Sequence, residues 1–306
     1  MVEKTPILDT LTYIFLIMGI IIVGFPIIYA IIAATLPIED VSRVPMPLMP
    51  GDQFWVNIQA AWEKGNLGTN LLNSFIMASG ITLGKITVSL LGAFSIVYFD
   101  YRFRTLAFVS VFCTLMLPVE VRILPTYEMA ANVMSPIMKL WTVLNLDSVA
   151  TWIAGHEITM TLDWNILDSY TGLILPLVAS ATCTFLFRQF FLTIPEELCE
   201  AAKMDGASAM TFFRKILLPL SKTNIAALVV IEFVYGWNQY LWPLLITTNP
   251  KMMTAVIGLQ HLIPAADDLP YWNVALAGSL LVMLPPILVV LLMQRWFVKG
   301  LVDPDK

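Results

Sequence analysis

Lys85, Glu120, Arg122 and Glu232 are ionisable residues set inside long apolar runs of a 306-residue chain. A charge in hydrocarbon is expensive, so such residues face a cavity or a partner and mark a transport path by default. Lys85 and Glu232 fall near the middles of two different runs, and Lys85 is expected to pair with Glu120 or Glu232. Glu120 and Arg122 are neighbours but one, and on a helix they point about 200° apart, so each needs its own partner. Arginine's planar fork suits phosphate oxygens. Trp237-Asn238-Gln239-Tyr240 offers amides flanked by aromatic rings at the depth expected for Arg122. Arg122, Asn238 and Gln239, with Trp237 and Tyr240 beside them and Lys85 second, form a candidate pathway for a small polar solute such as a polyol phosphate.

A second constellation runs from Pro195 to Pro219 (PEELCEAAKMDGASAMTFFRKILLP). It is too polar to cross a membrane and too well patterned for a loop. Pro195 suits the first position of a helix, and Glu196 and Glu197 favour the positive end of its dipole. Leu198, Ala201, Ala202 and Met204 supply an apolar side. Asp205-Gly206 is a stop signal, because glycine accepts the left-handed conformation that helix ends use. Ala207 to Leu217 resumes a helical pattern with Met210, Phe213 and Leu217 on one side. The expectation is two short helices joined at Gly206 and lying on one membrane face. From the residues alone, that hairpin rests on lipid or docks a partner.

Enzymatic chemistry is not expected. No G-x-x-x-x-G-K-[ST] phosphate loop is present, so any ATP site belongs to a partner. No G-x-S-x-G nucleophile turn occurs. The cysteines (Cys113, Cys183, Cys199) and histidines (His156, His261) have no metal-ligand spacing. The expectation is therefore no catalytic residue, no metal and no cofactor on this chain. A net charge of −5 without basic–aromatic runs argues against a nucleic-acid partner.

The elements that must position these residues follow from composition. Hydrophobic residues make up 58% of the chain and charged residues 13%, against about 25% charged in a soluble domain. Such a chain cannot cover a water-facing surface, so its solvent is lipid. Six runs are long enough to span, at about 11–34, 71–99, 106–127, 170–192, 218–247 and 272–298, within one transmembrane domain covering 1–306. The first is too long for a signal-peptide core and is preceded by Glu3 and Asp9, so it reads as a retained span. With the N-terminus inside, the inside set is Lys4, Arg102, Arg104, Arg188, Lys203, Arg214, Lys215, Lys222, Arg295, Lys299 and Lys306. Only Arg43, Lys64, Lys139 and Lys251 fall outside, which predicts cytoplasmic termini at both ends of a multi-pass membrane protein. Gly80, Gly84 and Gly92 place small residues on one face of the second span, a packing signal.

Glu200-Ala201-Ala202, Asp205-Gly206-Ala207, Phe213 and Ile216-Leu217-Leu218-Pro219-Leu220 resemble the E-A-A loop of binding-protein-dependent ABC importer permeases. Phe187-Arg188-Gln189-Phe190-Phe191 and Gly236-Trp237-Asn238-Gln239-Tyr240-Leu241-Trp242-Pro243 resemble the carbohydrate group within them. Thr82 to Ser89, Leu115 to Arg122, Leu217 to Asn224 and Lys299 to Asp303 are similar to permeases of sn-glycerol-3-phosphate importers. The resemblance covers nearly the whole chain. It implies an all-α type I importer permease of six spans with a cytoplasmic coupling helix-turn-helix. It implies that Glu200, Ala201, Ala202, Asp205, Gly206, Ala207 and Phe213 receive force from an ATPase. The partners it implies are a second permease, a homodimer of ATPase subunits holding ATP and Mg, and an extracytoplasmic solute-binding protein docking near residues 37–69 and 248–271. The solute would be sn-glycerol-3-phosphate or a glycerophosphodiester. An uncharged sugar is the alternative within the family, and an ion-gradient transporter the alternative outside it, although no internal repeat supports the latter. Residues from about 133 to 164 look inserted relative to that group; the orientation puts them on the external side after the third span, to touch the solute-binding protein, rest on the membrane or do neither.

Overall fold

The computed structural model describes residues 6–114, 119–156, 162–263 and 271–302, and among these every regular element is helical. In chain order they are α1 (Pro6–Thr35), α2 (Ile38–Val41), α3 (Phe54–Lys64), α4 (Leu67–Tyr98), α5 (Arg104–Cys113) and α6 (Val119–Ala131). Next come α7 (Ser135–Val143), α8 (Leu146–Ala154), α9 (Tyr170–Ile174), α10 (Ala181–Leu192) and α11 (Glu196–Met204). Then follow α12 (Ala209–Phe212), α13 (Leu218–Leu220), α14 (Lys222–Trp237), α15 (Leu241–Ile246), α16 (Ala255–Gln260) and α17 (Trp272–Val302).

Three of these, α1, α4 and α17, are unbroken and apolar enough to cross a bilayer. In α1 none of the most apolar window is buried inside the chain. Ile14, Phe15, Ile20, Ile22 and Val23 are all more than half exposed, a surface that lipid or an apolar partner helix would cover. Pro26 sits inside α1 without ending it, as membrane helices allow. The spans expected at 11–34, 71–99 and 272–298 correspond to these three helices, each of which extends beyond the expected range at one or both ends.

The other three expected spans are not continuous helices. The run at 170–192 is two helices bent by 49°. Its break is a 3-10 turn at Leu175–Leu177 holding Pro176, and Ser180 restarts the chain by accepting the Cys183 N–H at its hydroxyl (3.2 Å). The run at 218–247 stops at Trp237 and resumes at Leu241. The physical reason is Pro243, which lacks an N–H and whose ring crowds the carbonyl four residues back, at Gln239. The run at 106–127 falls on α5 and α6, with 115–118 of the Leu115–Arg122 stretch outside the described residues. The docking segment expected at 248–271 is described apart from 264–270.

The chain divides into two compact units. One comprises Met1–Leu71 and Ala255–Pro285. There the buried Asn57 amide donates to the carbonyls of Ala34 (2.9 Å) and Leu36 (3.0 Å), and receives a bond from Asn273 Nδ2 (2.8 Å). These bonds satisfy the carbonyls at the end of α1, which the helix itself leaves open.

The other unit, Leu72–Thr254 and Pro286–Lys306, holds both constellations. One apolar cluster joins the second half of α4 (Ile86, Leu90, Phe94) to α10 (Phe187, Phe191), to Phe212, Phe213 and Leu217, and to Leu228 of α14. A second joins Met77 and Ile81 of α4 to Ala130, Ile166, Leu173, Trp242 and Ile246. The expected small-residue face of α4 is a packing face. A Cβ at Gly80 would lie 2.6 Å from Ile174 Cδ1, and one at Gly84 2.6 Å from Val178 Cγ2.

Of residues 133–164, the described part holds the helical hairpin α7–α8. Its base is closed where Val133 N–H donates to Trp164 O (2.9 Å) and Asn132 Nδ2 to Asp163 (2.8 Å). Glu157 of this segment lies outside the described residues.

Candidate functional site

Glu196 and Glu197 open α11, and Pro195 is its cap residue rather than its first helical position. The helix ends in a complete Schellman turn. Gly206 N–H donates to Lys203 O (3.0 Å) and Ala207 N–H to Ala202 O (2.9 Å), with Gly206 at φ 74°. A Cβ at Gly206 would touch nothing within 4 Å, so the conformation, not crowding, requires glycine there. Ser208 restarts the chain by accepting the Thr211 N–H (3.3 Å). Helix α12 then runs into a π-helical turn at Phe213–Leu217 and on through α13. At Ser221 the axis bends by 73° into α14, turning residues 209–220 out of line with the span that follows.

The faces of this hairpin differ from the sequence reading. The side of α11 that meets the core is Ala202, with the half-buried Cys199 beside it, while Leu198, Ala201 and Met204 are exposed. Met210, expected to share a face with Phe213 and Leu217, is half exposed, whereas Phe212, Phe213 and Leu217 are buried. The π-turn explains part of this. It inserts a residue into the helical repeat and rotates everything after it relative to α12. Glu200, Asp205 and Gly206 are exposed, Ala207 is half-buried, and Ala202 and Phe213 anchor the hairpin. The result is a turn seated on the core that presents the carboxylates of Glu200 and Asp205 outward together with Leu198, Met204 and Met210.

In the membrane-spanning part, α14 approaches α4 closely at Gly236, where a Cβ would lie 2.9 Å from Ala78 Cα. That approach brings Glu232 to Lys85, with Nζ 2.7 Å from Oε2. Both residues are buried. The Cys183 thiol donates to the other carboxylate oxygen (2.7 Å), and the Tyr235 ring centroid lies 3.6 Å from Nζ. Of the two partners open to Lys85 in the sequence, the structure selects Glu232. The side chain of Glu120 lies outside the described residues. Sequence reasoning missed Cys183 and Tyr235; only the i,i+3 spacing of Glu232 and Tyr235 hinted that one cation would meet both.

The remaining pathway candidates sit around the break after α14. Trp237 is buried, Asn238 is exposed, and Gln239 and Tyr240 are half-buried. Gln239 Nε2 donates to Tyr235 O (3.2 Å). Arg122 is exposed on α6, which packs against α15. Its neighbour Ile123 joins the cluster that contains Trp242. Asp168, also unnoticed in the sequence, accepts from Thr248 N–H (2.7 Å), Thr248 Oγ1 (2.5 Å) and Asn249 N–H (2.8 Å). The Thr248 hydroxyl first, and the Asn249 amide after it, hold its carboxyl below the usual carboxylate range.

Residues 85–303 match the family model described as binding-protein-dependent transport system inner membrane component. The chain is 50% identical, over all of both chains, to the sn-glycerol-3-phosphate transport system permease protein UgpE of Yersinia pestis bv. Antiqua (strain Antiqua). It is equally similar, at 50% over full length, to the protein of that name from Pectobacterium atrosepticum. Its fold is similar to a chain in the crystal structure of a bacterial ABC transporter that imports the acidic polysaccharide alginate, with TM-score 0.74 and 17% identity. That likeness covers 97% of this chain and 100% of the other.

Proposed function

The chain belongs to the family of inner membrane components of binding-protein-dependent transport systems, and from that premise we propose that it is the permease through which sn-glycerol-3-phosphate, or a glycerophosphodiester, enters the cell. It is a transport subunit. In this reading ATP and its magnesium are held by a homodimer of partner ATPases, a second permease completes the path, and an extracytoplasmic binding protein delivers the solute.

The observation that carries the reading is the hairpin at α11–α12. Its inner face, Ala202, Phe212, Phe213 and Leu217, belongs to the same apolar cluster as α4, α10 and α14. Its outer face ends in the fixed turn at Gly206. A force applied at Glu200 or Asp205 is therefore passed to three membrane segments together, because close-packed interiors transmit displacement rather than absorb it. ATP-driven closure of the ATPase dimer would pull this turn and rock the spans, exchanging an inward-facing cavity for an outward-facing one. Arg122, with Asn238 and Gln239, would take the solute's phosphate and hydroxyls, with the Trp237 and Tyr240 rings beside them.

A specific observation favours the uncharged-sugar reading as the alternative. Lys85, the second cation considered for the substrate, is already engaged by Glu232. That leaves the phosphate to Arg122.

ATP hydrolysis by the reconstituted complex with its binding protein, measured against a ligand panel, tests the proposal. Stimulation by glycerol-3-phosphate and not by maltose or trehalose is the expected outcome. Stimulation by a neutral sugar alone keeps the importer and removes Arg122 from substrate recognition.

A further inference from the structure

A cavity of about 250 Å³ opens where the last turn of α4, the first turns of α5 and the last turns of α10 meet. Ile96, Val97, Phe108 and Leu192 contribute apolar surface, and Arg104, Thr105 and Arg188 contribute donors. The translocation reading uses none of them.

Arg188 is the anomaly. Its guanidinium carbon stands 4.2 Å from the centroid of the Phe108 ring. Its Nε is shut off from solvent and has no hydrogen-bond partner. Among the described residues it makes no ion pair. A buried N–H on a charged group is costly when unpaired, so a native protein normally supplies an acceptor. Arg104 lines the same cavity, held by Asp100 at 3.2 Å, but its side chain stays 48% exposed and can turn donors toward a second anion.

An occupant that pairs the two guanidinium groups lining this cavity must therefore be anionic and offer several oxygens. It must also tolerate apolar walls at the end of membrane-spanning segments. A phosphate diester at the boundary between headgroup and acyl chain meets each requirement.

We propose that this cavity binds a phosphate oxyanion, with Arg188 and Arg104 as its principal donors and Thr105 as a third, and that an anionic phospholipid of the adjoining leaflet presents it. The site rests only on the chain's embedding in a membrane and stands whether or not the solute assignment does.

The test is native mass spectrometry of the assembled complex, delipidated and titrated with phosphatidylglycerol or phosphatidylcholine, alongside equilibrium dialysis with inorganic phosphate. The wild-type complex is expected to retain phosphatidylglycerol in preference. Arg188→Gln should weaken that retention by about tenfold or more, the change associated with one charge-assisted hydrogen bond. Asp100→Asn alters a side chain that is 94% exposed and releases Arg104, so it should strengthen retention. Where Arg188→Gln fails to assemble, Arg104→Gln and Asp100→Asn decide by moving in opposite directions. Inorganic phosphate binding that depends on Arg188, without lipid preference, supports the oxyanion site and assigns it to a soluble phosphate. Equal lipid retention in all variants with no phosphate binding overturns the proposal. So does a structure of the complex in which an acidic side chain of a partner subunit occupies Arg188.

Discussion

Replacing Lys85 by methionine leaves the buried Glu232 carboxylate with the Cys183 thiol as its remaining side-chain donor. Removing one member of a buried pair costs about 3–5 kcal/mol, a factor of about 10² to 10⁴ in the folding equilibrium. Glu232→Gln is milder. It keeps an acceptor beside Nζ and leaves the ammonium over the Tyr235 ring at 3.6 Å, a contact worth about 2 kcal/mol when desolvated, so the loss should be about 1–3 kcal/mol. The double variant Lys85→Met/Glu232→Leu removes both charges and should recover most of the stability, since apolar replacement of a buried pair is often neutral or better. Unfolding of the purified chain in mixed micelles measures all three, with uptake in cells measured in parallel. Additive losses in the double variant would refute the claim that the two groups act as a pair. A double variant with normal stability and no uptake would place Lys85 in the solute pathway as well.

Gly206→Val forces a branched side chain into φ 74°, at about 1–2 kcal/mol of local strain. The ATPase subunits should then co-purify poorly, while Gly206→Asn, which tolerates that conformation, should retain most of the association. Arg122→Ala should lower uptake of glycerol-3-phosphate by about tenfold or more without changing expression, and normal transport would remove Arg122 from the pathway. Asp168 has a lowered carboxyl pKa in the folded chain, so its tether to Thr248 and Asn249 is fully present above about pH 4, the unfolded value. It is lost as the pH falls further, through the folded value. Thermal unfolding between pH 7 and pH 3 should show this extra acid sensitivity in the wild type and not in Asp168→Asn. Identical profiles would mean the tether contributes nothing.

Periodicity and turn chemistry were enough to locate the hairpin, because Gly206 and the acidic start of α11 act through backbone forces local to a few residues. They were not enough to orient it. Which side of α11 turns inward was decided by packing: Ala202 joins the cluster of Phe94, Phe191 and Phe213, while Leu198 and Met204 stay exposed. The bends in the spans were partly legible, since Pro176 and Pro243 remove backbone donors wherever they stand. The bend angles were not, neither the 49° after Pro176 nor the 73° at Ser221, which is a separate break from the one before Pro243.

The sequence by itself determined that this is a lipid-embedded, all-helical chain with a helical hairpin turning at Gly206, since hydrocarbon requires long apolar runs and the turn requires glycine. Lys85 could have met Glu120 or Glu232 on sequence grounds. Only the tertiary structure chose Glu232, because the bare backbone of Gly236 lets α14 close onto Ala78 of α4, and a salt bridge forms only between charges that packing has already brought within reach.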